Sequence, residues 1–131
     1  MIKTKCILTK PCVTDGTRIS VMSRHTLVDG VTPDIRITQT LYDIHCKNLA
    51  PPDILVGAFY RGELSFKQYS YAYRMYLQQK DYRKTLRSIA KYGLVEDITF
   101  LCIEDLPEYC HRLILLQECL WQEPALHYII S

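Results

Sequence analysis

The spacing of apolar residues changes several times along the chain, and each change marks an element. "KTKCILTK" (3–10) and "GTRISVMSR" (16–24) carry β-branched residues with partial alternation, and the turn-forming "TDG" lies between them. That pattern predicts two strands. "DGVTPD" has the composition of a loop. "IRITQTLYDIH" (35–45) starts with β-branched residues, which predicts a short strand followed by a turn or helix. After the break "LAPPD", the segment "DILVGAFY" (53–60) reads as a helix with Asp53 as N-cap, weakened by Gly57. Ser65 opens a stronger helix, because Phe66, Tyr69, Tyr73, Tyr76 and Leu77 recur at helical spacing. A second helix follows from about Asp81 to Tyr92, with Tyr82, Leu86 and Ile89 on one side and Gly93 as its C-cap.

The continuous apolar run of "DITFLCIED" (97–105) predicts a strand buried on both faces. The last helix is expected to start near Asp105 or Leu106, with Pro107 in its first turn and Glu108 at the positive end of its dipole. Leu113, Leu116 and Leu120 mark its buried face, and the tail "EPALHYIIS" is apolar enough to dock after Pro124. Strands, then helices, then strand and helix predict an α/β fold: a small Rossmann-like layered domain with a mainly parallel sheet flanked by helices. The last strand is expected parallel to the second, since a helical crossover joins them. Such sheets take ligands beyond the carboxyl ends of their strands, here near Ser23–His25 and Glu104–Asp105.

Composition narrows this picture. At 131 residues, 48% hydrophobic and 23% charged, the chain is read as one domain over 1–131 with enough apolar material for a single core. No apolar run reaches the roughly 18 residues of a membrane span. Lys3, Lys5 and Lys10 break up the start of the chain, and no secretory h-region follows, so a cytoplasmic location is expected. The six cysteines, at 6, 12, 46, 102, 110 and 119, contain no C-x-x-C and are therefore expected as free thiols. The formal charge of +2 conceals an asymmetry: net +6 over residues 61–92 and net −6 over 93–131. These stretches can pair within the fold or between the subunits of a homodimer, or face different partners. Lys80, Lys84, Arg87 and Lys91 form a basic stripe opposite Tyr82, Leu86 and Ile89, a solvated face that could also meet phosphates of a nucleic acid.

The densest chemistry lies in "CIEDLPEYCHR" (102–112), where Cys110, His111 and Arg112 are consecutive. Cys110 is a candidate nucleophile, with His111 as its base and Arg112 as an anion ligand. Adjacent helical residues point about 100° apart, however. The stripe Leu106, Cys110, Leu113 and Leu120 carries the thiol into the core and leaves His111 and Arg112 on the flanks, so function is expected in those two. His45–Cys46 and Cys110–His111 are two sulfur–imidazole pairs, but adjacent ligands chelate poorly and nothing requires the pairs to meet, so neither metal nor cofactor is expected. "CVTDGTR" (12–18) has C-x5-R spacing, yet a strand follows it where a phosphate-binding loop would lead into a helix. The tyrosines at 69, 71, 73 and 76 read as a core stripe rather than a base-stacking platform.

These residues carry a family resemblance over nearly the whole chain. The passage "ITFLCIEDLPEYCHRLILLQECL" resembles the closing motif of the domain of unknown function 488 family, matched here by Cys102, Glu104, Cys110, His111 and Arg112. "TDGTRISVMSR" resembles that family's Asp-Gly-x-Arg strand through Asp15, Gly16, Arg18 and Arg24, and "LVGAFYRGELSFKQYSYAYRMYL" its middle element. "SRHTLVDGVTPD" replaces the Asp-Arg-Leu-Trp-Pro-Arg-Gly that many short members carry after the Arg strand. The resemblance implies a small Rossmann-like α/β domain in the cytoplasm and assigns no reaction.

Together the residues suggest a small hydrolase or transferase acting on a phosphorylated or nucleotide-like ligand. His111, Cys110 and Glu104 are the candidate catalytic groups, and Arg18, Arg24, Arg112 and Asp105 the ligand-binding ones, for a small anionic ligand. The alternative is a non-catalytic nucleic-acid-binding or regulatory module.

Overall fold

The structure, a computed structural model, describes residues 1–131. Five parallel strands form one sheet: β1 (Ile2–Cys6), β2 (Thr17–Ser20), β3 (Ile44–His45), β4 (Ile98–Cys102) and β5 (Tyr128–Ile130). Four helices accompany them: α1 (Asp53–Tyr60), α2 (Phe66–Leu77), α3 (Lys80–Val95) and α4 (His111–Gln122). The layered α/β expectation holds, and β2 lies parallel beside β4 as expected. The strand order is β3-β2-β4-β1-β5, which interchanges β1 and β4 relative to the Rossmann order.

β4 sits at the centre, and all five of its residues are buried, as its unbroken apolar run requires. Ile98 and Phe100 join Ile2, Ile19 and Val21 in the larger core, where Tyr73, Leu77, Leu86, Ala90 and Leu115 pack from α2, α3 and α4. Around the carboxyl ends of the strands a smaller cluster forms from Ile7, Met22, Leu101, Cys102 and Cys110. Register aligns Cys6 with Cys102 and Ser20 with Leu101, so three carboxyl ends open at one level.

Local chemistry explains the boundaries. Ser65 caps α2 by accepting from the Gln68 N–H at 3.1 Å, while the Gln68 side chain accepts from the Ser65 N–H at 2.8 Å, a complete capping box. Gly16 turns the chain into β2 at φ +64°, and a Cβ there would stand 2.0 Å from the Asp97 carbonyl oxygen. Only glycine fits that turn.

Several boundaries differ from expectation. Residues 35–38 form no strand; a 3-10 turn at Gln39–Leu41 leads instead to β3, because edge pairing with β2 is available only at Ile44–His45. Asp53 is the first helical residue of α1, with Pro52 in the capping position. Gly93 does not end α3, which runs on to Val95; it is a close-packing position, since a Cβ would meet Ile2 Cγ1 at 2.7 Å. The docked tail includes β5, which extends the sheet by pairing Tyr128 with Ile2. The last helix starts at His111, not near Asp105. Leu106 is 69% exposed, so an extra turn would bury nothing there, and Arg112 holds the carbonyls of Glu104 and Asp105 in a non-helical path.

No helix is long and apolar enough to cross a membrane.

Candidate functional site

The loop from Ile103 to Cys110 joins β4 to α4, and the expected site residues divide around it. Cys110 is the N-cap of α4, not a residue one turn inside it. His111 and Arg112, expected on the flanks, are buried at 7% and 0% exposure, while the supposed stripe residue Leu106 is outside. The true apolar face of α4 is Ile114, Leu115, Leu116 and Cys119.

Two of the three arginines expected to hold an anion, Arg18 and Arg112, are occupied within the protein. The Arg112 guanidinium donates to the carbonyls of Glu104 at 2.6 Å, Asp105 at 3.3 Å and Ser131 at 3.2 Å, tying the loop to the end of β5; its Nε has no partner. Arg18 is buried against the fully buried Asp15, Nη1 to Oδ2 at 2.5 Å, and also donates to the carbonyls of Leu41 and Thr9. Burial raises the Asp15 carboxyl, but bonds from Lys5, the Cys12 N–H and Arg18 outweigh it and hold the group below its ordinary value. Glu104 accepts from the Tyr60 hydroxyl at 2.6 Å, and Asp105 is exposed at the rim of the loop.

What the fold does bring together is Cys102, Cys110 and His111. One sulfur from each cysteine and one ring nitrogen lie within 4.8 Å of one another, all three residues buried. His111 Nε2 is 2.6 Å from the Val21 carbonyl oxygen. A carbonyl can only accept, so Nε2 carries the proton and Nδ1 faces the Cys102 thiol at 3.7 Å. The Tyr73 ring meets the imidazole edge-on at 5.7 Å and fixes its plane.

The two thiols have opposite electrostatics. A hydrogen bond from Cys110 is the largest influence on Cys102; with the amides of Glu104 and Ile103 and the Arg112 charge, it overcomes burial and draws the Cys102 thiol below its ordinary value. Cys110 is pushed well above its own, first by burial and then by its bond to Cys102.

Cys102 and His111 form the floor of a cavity of about 620 Å³. Its walls come from the segment Met22–Gly30, from α1 and from Tyr69 of α2. Of the expected ligand residues only Arg24 lies in this wall; it bonds the Gly30 carbonyl at 2.8 Å and stands 3.2 Å from Asp53. Arg36 and Arg61 also line the cavity, each paired to a neighbouring carboxylate. Tyr69 is 3% exposed, and burial raises its hydroxyl.

Sequence reasoning missed Cys102, Tyr60 and Tyr69 as site residues. Cys102 was matched in the family's closing motif but given no role; its position as the last residue of the buried run, at a strand's carboxyl end, was the signal for one. Tyr69 belonged to a stripe that looked entirely like core, although Tyr71 of that stripe proves to be exposed. His45–Cys46 does not join the cluster; His45 stacks on His25 at 4.0 Å and bonds the Met22 carbonyl. The basic residues Lys80, Lys84, Arg87 and Lys91 are exposed on α3.

No curated protein and no solved structure matches the chain. A family model described as "DUF488-N3a: Active DUF488-N3 subclade" matches residues 2–123, so the chain belongs to the domain of unknown function 488 family.

Proposed function

We propose that this protein is a cysteine-dependent hydrolase or transferase acting on a phosphorylated or nucleotide-like ligand held at the carboxyl edge of the sheet. The supporting observation is the line Cys102 Sγ, His111 Nδ1, His111 Nε2, Val21 carbonyl, with Cys102 and His111 on the cavity floor. A nucleophile, its base and the group that orients the base are what covalent catalysis requires. In this reading His111 takes the Cys102 proton and the sulfur attacks the electrophilic centre. A bond forms from sulfur to that centre as the leaving group departs with its electron pair and takes the proton back from His111. Water or a second acceptor then displaces the sulfur. Tyr69 presents a hydroxyl to the ligand, and Arg24 can exchange the half-exposed Asp53 for a ligand anion. The word "active" in the family description agrees with catalysis. Six free thiols agree with a reducing compartment such as the cytoplasm.

The test is a panel of nucleotides, sugar phosphates and phosphate esters, assayed by thermal shift and turnover. Turnover is expected to vanish in Cys102→Ser, while Arg24→Met weakens binding. Turnover that survives Cys102→Ser refutes the reading. One observation favours a second reading: the exposed cations of α3 make no ion pair with a carboxylate. Salt-sensitive nucleic-acid binding lost in Lys84→Glu/Arg87→Glu would support it.

A further inference from the structure

The catalytic line uses Cys102 and His111 and leaves Cys110 without a part. We propose that Cys102, Cys110 and His111 are the three protein ligands of a site for one zinc-class divalent cation, with its fourth position open to the cavity. Zinc bound by thiolate and imidazole is tetrahedral, with bonds of roughly 2.3 Å to sulfur and 2.0 Å to nitrogen, so ligand atoms stand roughly 3.5–3.8 Å apart. Cys102 Sγ and His111 Nδ1 already stand at 3.7 Å. The whole set lies within 4.8 Å, which small side-chain rotations contract to that range.

The surroundings match the ligands. A metal-bound histidine characteristically gives its other N–H to a carbonyl or carboxylate, which fixes the ring and its tautomer. His111 does this through Nε2 to Val21 at 2.6 Å. Two thiolates balance the charge of a divalent cation, and this soft sulfur-rich set favours zinc over calcium or magnesium. Cys110 at the start of α4 and Cys102 at the end of β4 approach from opposite sides of the loop, unlike the adjacent ligands of a Cys-His dipeptide alone. Cys102 and His111 face the cavity, where water or a ligand atom completes the tetrahedron. Binding takes a proton from each thiol and releases it to solvent. It also ties up the sulfur that the catalytic reading uses, so zinc acts as an inhibitor there. The site itself stands on geometry and not on that reading.

The experiment uses the full chain, reduced with a phosphine and freed of metal by a chelator. Zinc is titrated against a chromophoric chelator, and cobalt is added in parallel. One equivalent per chain, sulfur-to-cobalt charge-transfer absorption, and protection of Cys102 and Cys110 from alkylation while Cys12 stays reactive are expected. Cys110→Ser lowers affinity by at least about 100-fold, and Cys46→Ser leaves it unchanged. If Cys110→Ser does not fold, the cobalt spectrum and protection map of the unaltered chain decide. No stoichiometric uptake, a cobalt spectrum without sulfur ligation, or protection of other cysteines overturns the proposal. Turnover by Cys102 without zinc uptake removes this site and leaves the catalytic reading intact. Zinc uptake by a chain whose metal-free Cys102 is inert does the reverse.

Discussion

Asp15→Ala isolates the contact that removes Arg18 from the ligand site. Asp15 is fully buried and receives Arg18 Nη1 and Lys5 Nζ, each at 2.5 Å, and the Cys12 N–H at 3.0 Å. Removing the carboxylate leaves the 4%-exposed Arg18 charge with two acceptors, the carbonyls of Leu41 at 2.7 Å and Thr9 at 2.8 Å. Breaking a buried ion pair from one side costs roughly 3–5 kcal/mol. The surviving carbonyl bonds place the loss at the lower end, about 3–4 kcal/mol. Lys5 contributes less to the loss than Arg18, since its side chain keeps 22% of its surface in contact with water. With a urea slope of roughly 1.5 kcal/mol per molar, the midpoint should fall by about 2 M. The double variant Asp15→Leu/Arg18→Met removes both charges and should recover about 2 kcal/mol relative to the sum of the single changes. Equilibrium urea unfolding, followed by circular dichroism and tryptophan fluorescence, measures all of these. A loss under about 1 kcal/mol in Asp15→Ala, or strict additivity in the double variant, refutes the buried pair. Loss of ligand binding in Arg18→Met at unchanged stability would restore Arg18 to the anion clamp.

Three further outcomes follow from other contacts. Gly93→Ala gains about 1 kcal/mol of helix propensity but drives a Cβ to 2.7 Å from Ile2 and 3.1 Å from Leu126; overpacking at roughly 1–3 kcal/mol outweighs the gain, so the urea midpoint should fall, and an unchanged or raised midpoint contradicts the packing. Arg112→Lys loses the fork that bridges Glu104, Asp105 and Ser131 and should cost about 2–3 kcal/mol; unchanged stability with weakened ligand binding would make it an anion ligand instead. His25 is lowered to about 4, by burial first and then by the charges of His45 and Lys47. Its unfolded form takes up a proton near pH ~6.5, so the neutral native form supplies stability above that value that is lost as pH falls toward 4. His25→Gln should flatten the fall in urea midpoint between about pH 7 and pH 5, and an unaltered slope assigns the loss elsewhere.

The elements whose determinants are local were legible. Ser65 with Gln68 announces its own cap, and the short unbroken apolar run Ile98–Cys102 suits a strand buried on both faces. Elements defined by distant neighbours were not. Gly93 has the residue type of a helix end, and only Ile2 and Leu126, both far away in sequence, show that it is a contact point. β5 exists because β1 offers an edge, which its own short apolar tail does not reveal. At the site, the sequence pointed to the right loop and to His111, and it carried the Cys110 thiol into the core as part of an apolar stripe, where it is indeed buried. What it misplaced was the start of α4, expected near Asp105 or Leu106 with Pro107 in the first turn. Once Arg112 holds the loop carbonyls, the helix starts later, Cys110 becomes its cap, and the cysteine that ends β4 lies beside the imidazole. Arg18 and Arg112 look like anion ligands by residue type; their carbonyl and carboxylate partners become visible only in three dimensions.

In the proposed function Cys102, activated by His111, is the reactive thiol on the cavity floor. Alkylation of the reduced native chain by iodoacetamide, in the presence of a chelator and mapped by mass spectrometry over time, measures that reactivity site by site. Cys12 is exposed and serves as the internal reference, while Cys110 and Cys119 are buried thiols raised by burial. The expected result is that Cys102 reacts well ahead of Cys110 and Cys119 despite equal burial, and that His111→Gln slows Cys102 while leaving Cys12 unchanged. Modification of Cys110 ahead of Cys102, or a Cys102 rate indifferent to His111, contradicts it.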